Sequence, residues 1–188
     1  MSAMIVGISG FARSGKDTSA EILVNELGFK RMAFADALKY DLREMIWRSL
    51  DRIGEDVKSY DELVATQKEK ARPLMVEYGR IMRELYPEYW IRRLFCDMFN
   101  GTGTRFVIPD VRYKNEADKI RELGGVVIGV MRPNCVPANA EEEMSFSKFA
   151  PDIIVDNDAG ISRLHEKITC AVQQHYGKKL FEGLPSNS

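Results

Sequence analysis

The chain has 188 residues, 45% hydrophobic and 29% charged, with 14 glycines and 7 prolines, a composition that suits one folded domain and argues against disorder as the main state. Its 27 Lys and Arg oppose 28 Asp and Glu, so a formal net charge of −1 supplies no bulk basic field for polymeric nucleic acid, although a site for one small anion stays open. The 3 cysteines, Cys96, Cys135 and Cys170, form no CxxC pair, which disfavours both a disulfide framework and a zinc site and suits a reducing compartment.

The first residues, Met1 to Ile8, lack a basic leader segment, and no apolar run approaches the roughly 18 residues of a membrane span. The expectation is a cytoplasmic protein without a membrane partner. Met4 to Ile8 reads as a first strand, followed by a glycine-containing loop and a helix with the stripe Ala20, Leu23, Val24 and Leu27, stopped at Gly28. Phe29 to Phe34 reads as a second strand, and Leu38, Leu42, Met45, Ile46 and Leu50 as the apolar stripe of the next helix.

Two further helices are predicted before the third strand, each with a proline near its first turn. Leu74, Met75, Tyr78, Ile81, Met82 and Leu85 follow Pro73; Trp90, Ile91, Leu94, Phe95 and Met98 follow Pro87. Strands are then predicted at Arg105 to Ile108, Val126 to Met131 and Ile153 to Val155, with helices after Asn115 and after Gly160. Alternating strands and helices of this kind predict an α/β fold, a doubly wound, five-stranded parallel sheet. We expect a single domain over residues 1–176, a helical insertion for an acceptor at about 36–104, a short lid or loop at about 132–150 and a polar tail over 177–188.

The segment Gly10-Phe11-Ala12-Arg13-Ser14-Gly15-Lys16-Asp17-Thr18 joins the first strand to the first helix. Its glycines let the backbone wrap a phosphate chain, its amides and the helix N-terminus face anionic oxygens, and Lys16 adds a mobile charge for the β- and γ-phosphates. The pattern GxxxxGK is complete, but Asp17 stands where a Ser or Thr is usual, with Thr18 one place later. A carboxylate there can hold Mg²⁺ directly or through water, with Lys16 and Arg13 offsetting its charge; the alternative is a plain cap on the helix dipole.

Ligands of a doubly wound sheet bind beyond the carboxyl ends of its strands, which singles out Asp36 with Lys39, and Asp110 with Arg112. Asp110 follows the strand expected beside the loop-bearing one, where an acid holds Mg²⁺ through water; for Asp36 a helix cap is the alternative. A monophosphate acceptor needs cations around its phosphate, and Arg72, Arg83 and Arg112 are the candidates for bidentate contact. His165 and His175 lie in the last helix and are not convincing bases, nor does phosphoryl transfer require one.

Taken together, Gly10 to Thr18, Phe34 to Lys39, Glu77 to Arg83 followed by Tyr89-Trp90-Ile91, Asp110 to Glu116, and Asp152 to Asn157 resemble the bacteriophage-type deoxynucleoside monophosphate kinases, P-loop relatives of dephospho-coenzyme A kinases. The resemblance implies transfer of the γ-phosphoryl group of ATP, with Mg²⁺, to a deoxynucleoside 5′-monophosphate. By it, Gly10, Arg13, Ser14, Gly15, Lys16, Asp17 and Thr18 hold ATP, with Arg132 on the lid side and Asn157 near the base. Lys16, Arg13, Asp36, Asp110 and Arg112 would carry catalysis, and Asp17 and Asp110 the metal. Lys39, Arg72, Tyr78, Gly79, Arg83, Trp90, Arg112, Asn115 and Glu116 would join Asp36 around the acceptor, and a homodimer is implied by resemblance alone.

Two departures bear on the lid. Glu141 to Phe146 replaces the expected His and Ser-Glu pair, and no arginine follows Arg132 in that loop, leaving Arg132 or Lys148 to carry the charge. Competing readings are a kinase for another phosphorylated acceptor, of the dephospho-coenzyme A or phosphomevalonate type, and a non-catalytic nucleotide-binding module. Asn157-Asp158-Ala159-Gly160 does not supply the guanine signal that a GTPase switch would need.

Overall fold

The computed structural model describes residues 3–52, 68–100, 103–137, 149–177 and 180. The chain divides into two compact units, Met1–Ala33 with Met98–Ser188, and Phe34–Asp97. The described part of the first unit contains strands β1 (Met4–Ser9), β2 (Lys30–Arg31), β3 (Arg105–Ile108), β4 (Val126–Met131) and β5 (Ile153–Asp156). They form one parallel sheet in the order β2-β3-β1-β4-β5. Helix α1 (Lys16–Leu27) follows β1, and α2 (Phe34–Asp51), α3 (Lys68–Leu85) and α4 (Tyr89–Asn100) lie between β2 and β3. Helix α5 (Lys114–Glu122) connects β3 to β4, and α6 (Ile161–Tyr176) follows β5.

Side chains alternate across each strand, so each central strand feeds two cores. Val6, Ile8, Val107, Ile128 and Val130 join Ala20, Leu23 and Leu27 of α1 and Leu164, Ile168 and Val172 of α6 in one buried cluster. Ile5, Phe106, Ile108 and Val127 alternate to the opposite face, where Ile120 of α5 lies against Gly7. Helices thus cover both faces, as the strand-and-helix alternation predicts.

The first departure is at β2, which is two residues long rather than the expected run from Phe29 to Phe34. Met32 N–H still donates to Val107 O at 2.9 Å, but Phe34 opens α2 and is buried there. The apolar character read as strand is spent on a helix start. Pro73 lies inside α3, early in the helix. As the sixth residue of that helix it forfeits a single early backbone bond, a loss the remaining turns outweigh. Along α2, Leu38 and Leu42 are buried but Met45 is exposed, and the side chain of Leu50 lies outside the described residues, as do 138–148 of the lid. Leu180, in the segment expected to be a polar tail, is fully buried in the cluster beneath α1 and α6. Its apolar side chain gains more from that core than from water; the rest of the tail beyond Gly177 is outside the described residues.

Tyr176, at the end of α6, closes the start of β1. The Ile5 N–H donates to the Tyr176 hydroxyl at 2.8 Å, and that hydroxyl donates to Ile5 O at 2.9 Å. β1 pairs with β4 only from Val6 onward, so the phenol satisfies the backbone groups that the ladder has not yet reached. Burial pushes the Tyr176 hydroxyl up to about 12 from 10.0. A folded value above the unfolded one means stability that is full below pH 10 and drains away as pH rises from about 10 to about 12. Tyr176→Phe should cost about 1–3 kcal/mol at neutral pH in urea unfolding, because Ile5 loses both partners, and should flatten this alkaline decline.

A phosphate loop and a separate helical unit

Between β1 and α1 the backbone leaves ordinary geometry at three places: Gly10 (φ 153), Arg13 (φ 64) and Gly15 (φ 106). A Cβ on Gly10 would sit 2.5 Å from both Ser14 Oγ and Val130 O, and one on Gly15 would sit 2.6 Å from Asn157 Nδ2. Both glycines are therefore required by crowding as well as by dihedral angle. Arg13 adopts the left-handed conformation with a full side chain, a local strain typical of functional loops. Its carbonyl lies 3.5 Å from Arg132 Nη1, a long contact just past β4.

The loop ends where α1 begins, so Gly15, Lys16 and Asp17 share the helix N-terminus, where unpaired amides and the dipole favour an anion. Lys16 Nζ donates to Phe11 O at 2.7 Å, folding the ammonium back over the loop. Among the described residues, Ser14 Oγ and Ser9 Oγ are buried without a hydrogen-bond partner, Ser14 Oγ against Gly10 of the loop and Ser9 Oγ beside Gly129 of β4. Asp17 is exposed in the first turn of α1, and Thr18 is half-buried beside it.

Asp110 follows β3, which pairs directly with β1. Val111 N–H donates to Ile8 O at 3.2 Å, so the turn carrying Asp110 is tied to β1 two residues before Gly10. The same turn carries Arg112. Its N–H, at 2.8 Å, and that of Tyr113, at 3.1 Å, both donate to Glu116 Oε2. Glu116 is 3% exposed, and its carboxylate acts as a cap that shapes the Arg112 turn. Asn115 Oδ1 accepts the Glu116 N–H at 3.1 Å, a local bond at the start of α5, which begins at Lys114 rather than after Asn115.

In the Phe34–Asp97 unit, Asp36 stands in the first turn of α2 and pairs with Lys39 Nζ at 3.2 Å, both about half exposed. Arg72 is exposed, and Arg83 is half-buried with Nη1 over Gly79, whose missing Cβ also lets Leu38 of α2 approach α3. The resemblance places Trp90 at the acceptor. It is 2% exposed, with Nε1 donating to Gly79 O at 3.3 Å and its ring edge-on to Tyr78 and Tyr89. The large apolar ring packs in the interior of the unit, against Tyr78 and Tyr89 and over Gly79 O.

Asp41 belongs to no sequence motif. Tyr89 donates its hydroxyl to Asp41 Oδ2 at 2.7 Å, and Arg93 Nε lies 3.6 Å from Oδ1. The bond to Asp41, then burial, push the Tyr89 hydroxyl up to about 12, and burial raises Tyr78 as well. Nothing in the spacing of α2 separates Asp41 from the solvated acids around it; only the fold brings Tyr89 and Arg93 to it.

A parallel sheet in this order, with a glycine loop running from its central strand into a helix N-terminus, defines a P-loop phosphotransferase fold. The family model of deoxynucleotide monophosphate kinase matches residues 56–168, more than half of the sequence, and the chain belongs to that family. A protein of Acanthamoeba polyphaga mimivirus assigned as a deoxynucleotide monophosphate kinase is 29% identical over 199 residues, covering 90% of this chain and 96% of its own. The deoxynucleotide monophosphate kinase of Enterobacteria phage T4 is 29% identical over 84 residues, 43% of this chain and 35% of the phage protein. Among solved structures, TT1252 from Thermus thermophilus superposes with a TM-score of 0.55 at 18% identity, over 93% of this chain and 98% of that one, a likeness of fold.

The protein is thus a kinase that passes a phosphoryl group from a nucleotide donor to a nucleotide monophosphate, in preference to the coenzyme-precursor, mevalonate-type and non-catalytic readings. No helix among the described residues is long and apolar enough to cross a membrane.

Proposed function

We propose that the donor is ATP with Mg²⁺, that the acceptor is a deoxynucleoside 5′-monophosphate, and that the protein works in the cytoplasm. The observation that carries the donor half is the crowded loop itself, whose two glycines combine positive φ with close approach of neighbouring atoms and whose amides open on the N-terminus of α1. Gly10, Arg13, Ser14, Gly15, Lys16, Asp17 and Thr18 surround the phosphates, and Lys16 swings from Phe11 O to follow the charge on the migrating group. Asp17 and Asp110 would hold Mg²⁺, which when bound would neutralise part of the phosphate charge.

Asp17 and Asp110 fit that ion by donor chemistry, two carboxylates on segments anchored to β1 and its direct neighbour β3. Arg112, fixed through its own N–H by Glu116, reaches for phosphate, with Arg132 beside the loop. In the helical unit, Asp36, Lys39, Arg72, Tyr78 and Arg83 receive the acceptor, the arginines pairing with its phosphate and Tyr78 offering a ring to its base. Holding two repelling anions in line is the main task, since the transition state asks for positioning and charge rather than for a strong base.

A panel of dAMP, dGMP, dCMP, dTMP and the ribonucleotides with ATP tests this, read as acceptor-dependent ADP release. We expect turnover with at least one deoxynucleotide, abolished by EDTA and restored by excess Mg²⁺. Metal-independent turnover would remove Asp17 and Asp110 from their role, and ADP release without regard to any of these acceptors would overturn the substrate class.

A further inference from the structure

The turn after β5 grips the phosphate loop from outside. Asn157 Nδ2 donates to Ser14 O at 2.9 Å, while the Asn157 N–H donates to Met131 O at 2.6 Å. Lys167 of α6 fixes the residues on either side, donating from Nζ to Asp156 O and to Asp158 Oδ1, both at 2.7 Å. Asn157 is therefore held on a braced turn before its side chain reaches the loop.

The bond matters because of which peptide it holds. In a planar trans peptide the C=O and N–H point in opposite directions, so a donor that keeps Ser14 O toward the β5 turn sends the Gly15 N–H the other way. Gly15 has a φ of 106°, and a glycine peptide has few steric reasons to keep one orientation. The approach is close enough that a Cβ on Gly15 would lie 2.6 Å from Asn157 Nδ2. An amide side chain thus selects the peptide orientation that the glycine leaves open.

We infer that Asn157 is a positioning residue for the donor's phosphates, acting through the Ser14–Gly15 peptide and not through a contact to the base. The inference rests on the reading of Gly10 to Thr18 as a phosphate loop and gives it a consequence of its own. Weakening on loss of the Asn157 amide follows the triphosphate, whatever is attached to it.

The test uses the full chain with Asn157→Ala, which deletes the donor, and Asn157→Asp, which keeps the shape but sets an acceptor against Ser14 O. Calorimetric affinities for ATP and for inorganic triphosphate, each with Mg²⁺, are compared with the wild type, alongside melting temperature and the KM for each substrate. Both ligands should weaken by a similar factor, about tenfold, with KM for ATP rising in step and KM for the acceptor unchanged. ATP weakening while inorganic triphosphate binds as before would overturn the inference in favour of a base contact. A lowered melting temperature with both affinities at wild-type values would overturn it in favour of a merely structural bond. A wild type that binds neither ligand would instead overturn the phosphate-loop reading beneath it.

Discussion

Lys16→Ala should lower kcat/KM by at least about 3 kcal/mol of transition-state stabilisation, roughly 150-fold, the loss usual for one positioned donor at a developing charge. In the structure Lys16 Nζ donates to Phe11 O at 2.7 Å, so the ammonium lies against the loop itself, where a phosphate oxygen would replace a neutral carbonyl as its acceptor. That exchange replaces a weak partner by a charged one, and the gain is largest when negative charge moves between donor and acceptor. The fall should therefore appear mainly in kcat, with a smaller rise in the KM for ATP. Lys16→Arg should recover little, since a planar guanidinium needs a wider approach than a loop closed by Gly10 and Gly15 provides. Melting temperature should change little, because Lys16 is half-exposed and its bond to Phe11 O ties it to a surface loop and not to the core. Coupled measurement of ADP release checks the prediction, and turnover within tenfold of wild type would remove Lys16 from the chemistry.

The strands at Arg105–Ile108 and Val126–Met131 and the phosphate loop were legible because each has a local cause: continuous burial on both sheet faces for the strands, backbone crowding for Gly10 and Gly15. Boundaries were less so where one residue suits two states. Phe34 is as apolar at the head of a helix as in a strand, and Pro73 is tolerated in an early turn as well as at its first position. Side-chain roles were the least legible, for a related reason. Residue type tells what Glu116, Trp90 and Asn157 could contact, but each has polar atoms that the fold spends on backbone: Glu116 on Arg112 and Tyr113, Trp90 on Gly79, Asn157 on Ser14. Those partners are set by turn geometry and helix packing that no spacing rule encodes. Asp41 is the converse, a residue without a motif to which the fold brings Tyr89 and Arg93.

Trp90→Ala should be the most destabilising single change in the helical unit, at about 3–5 kcal/mol, the range for removing a large aromatic side chain from a close-packed interior. Trp90 is 2% exposed, and two other rings stand edge-on to it, Tyr89 with a centroid distance of 4.8 Å and Tyr78 at 5.8 Å. Deleting the indole opens a cavity between them and also leaves Gly79 O without the Nε1 donor at 3.3 Å. Trp90→Phe separates these contributions: it keeps most of the ring contact, loses the hydrogen bond and should cost about 1–3 kcal/mol. Of the 2 tryptophans in the chain, Trp47 remains in both variants and lies in α2 of the same unit, so its fluorescence during urea unfolding reads the effect where it occurs. The same pair of variants decides whether Trp90 touches the acceptor. As a buried support for Tyr78, Trp90→Phe should change the acceptor KM by less than about threefold, since the ring that orders Tyr78 is largely retained. A Trp90→Phe protein with wild-type unfolding but a tenfold weaker acceptor would place the indole in the substrate site after all.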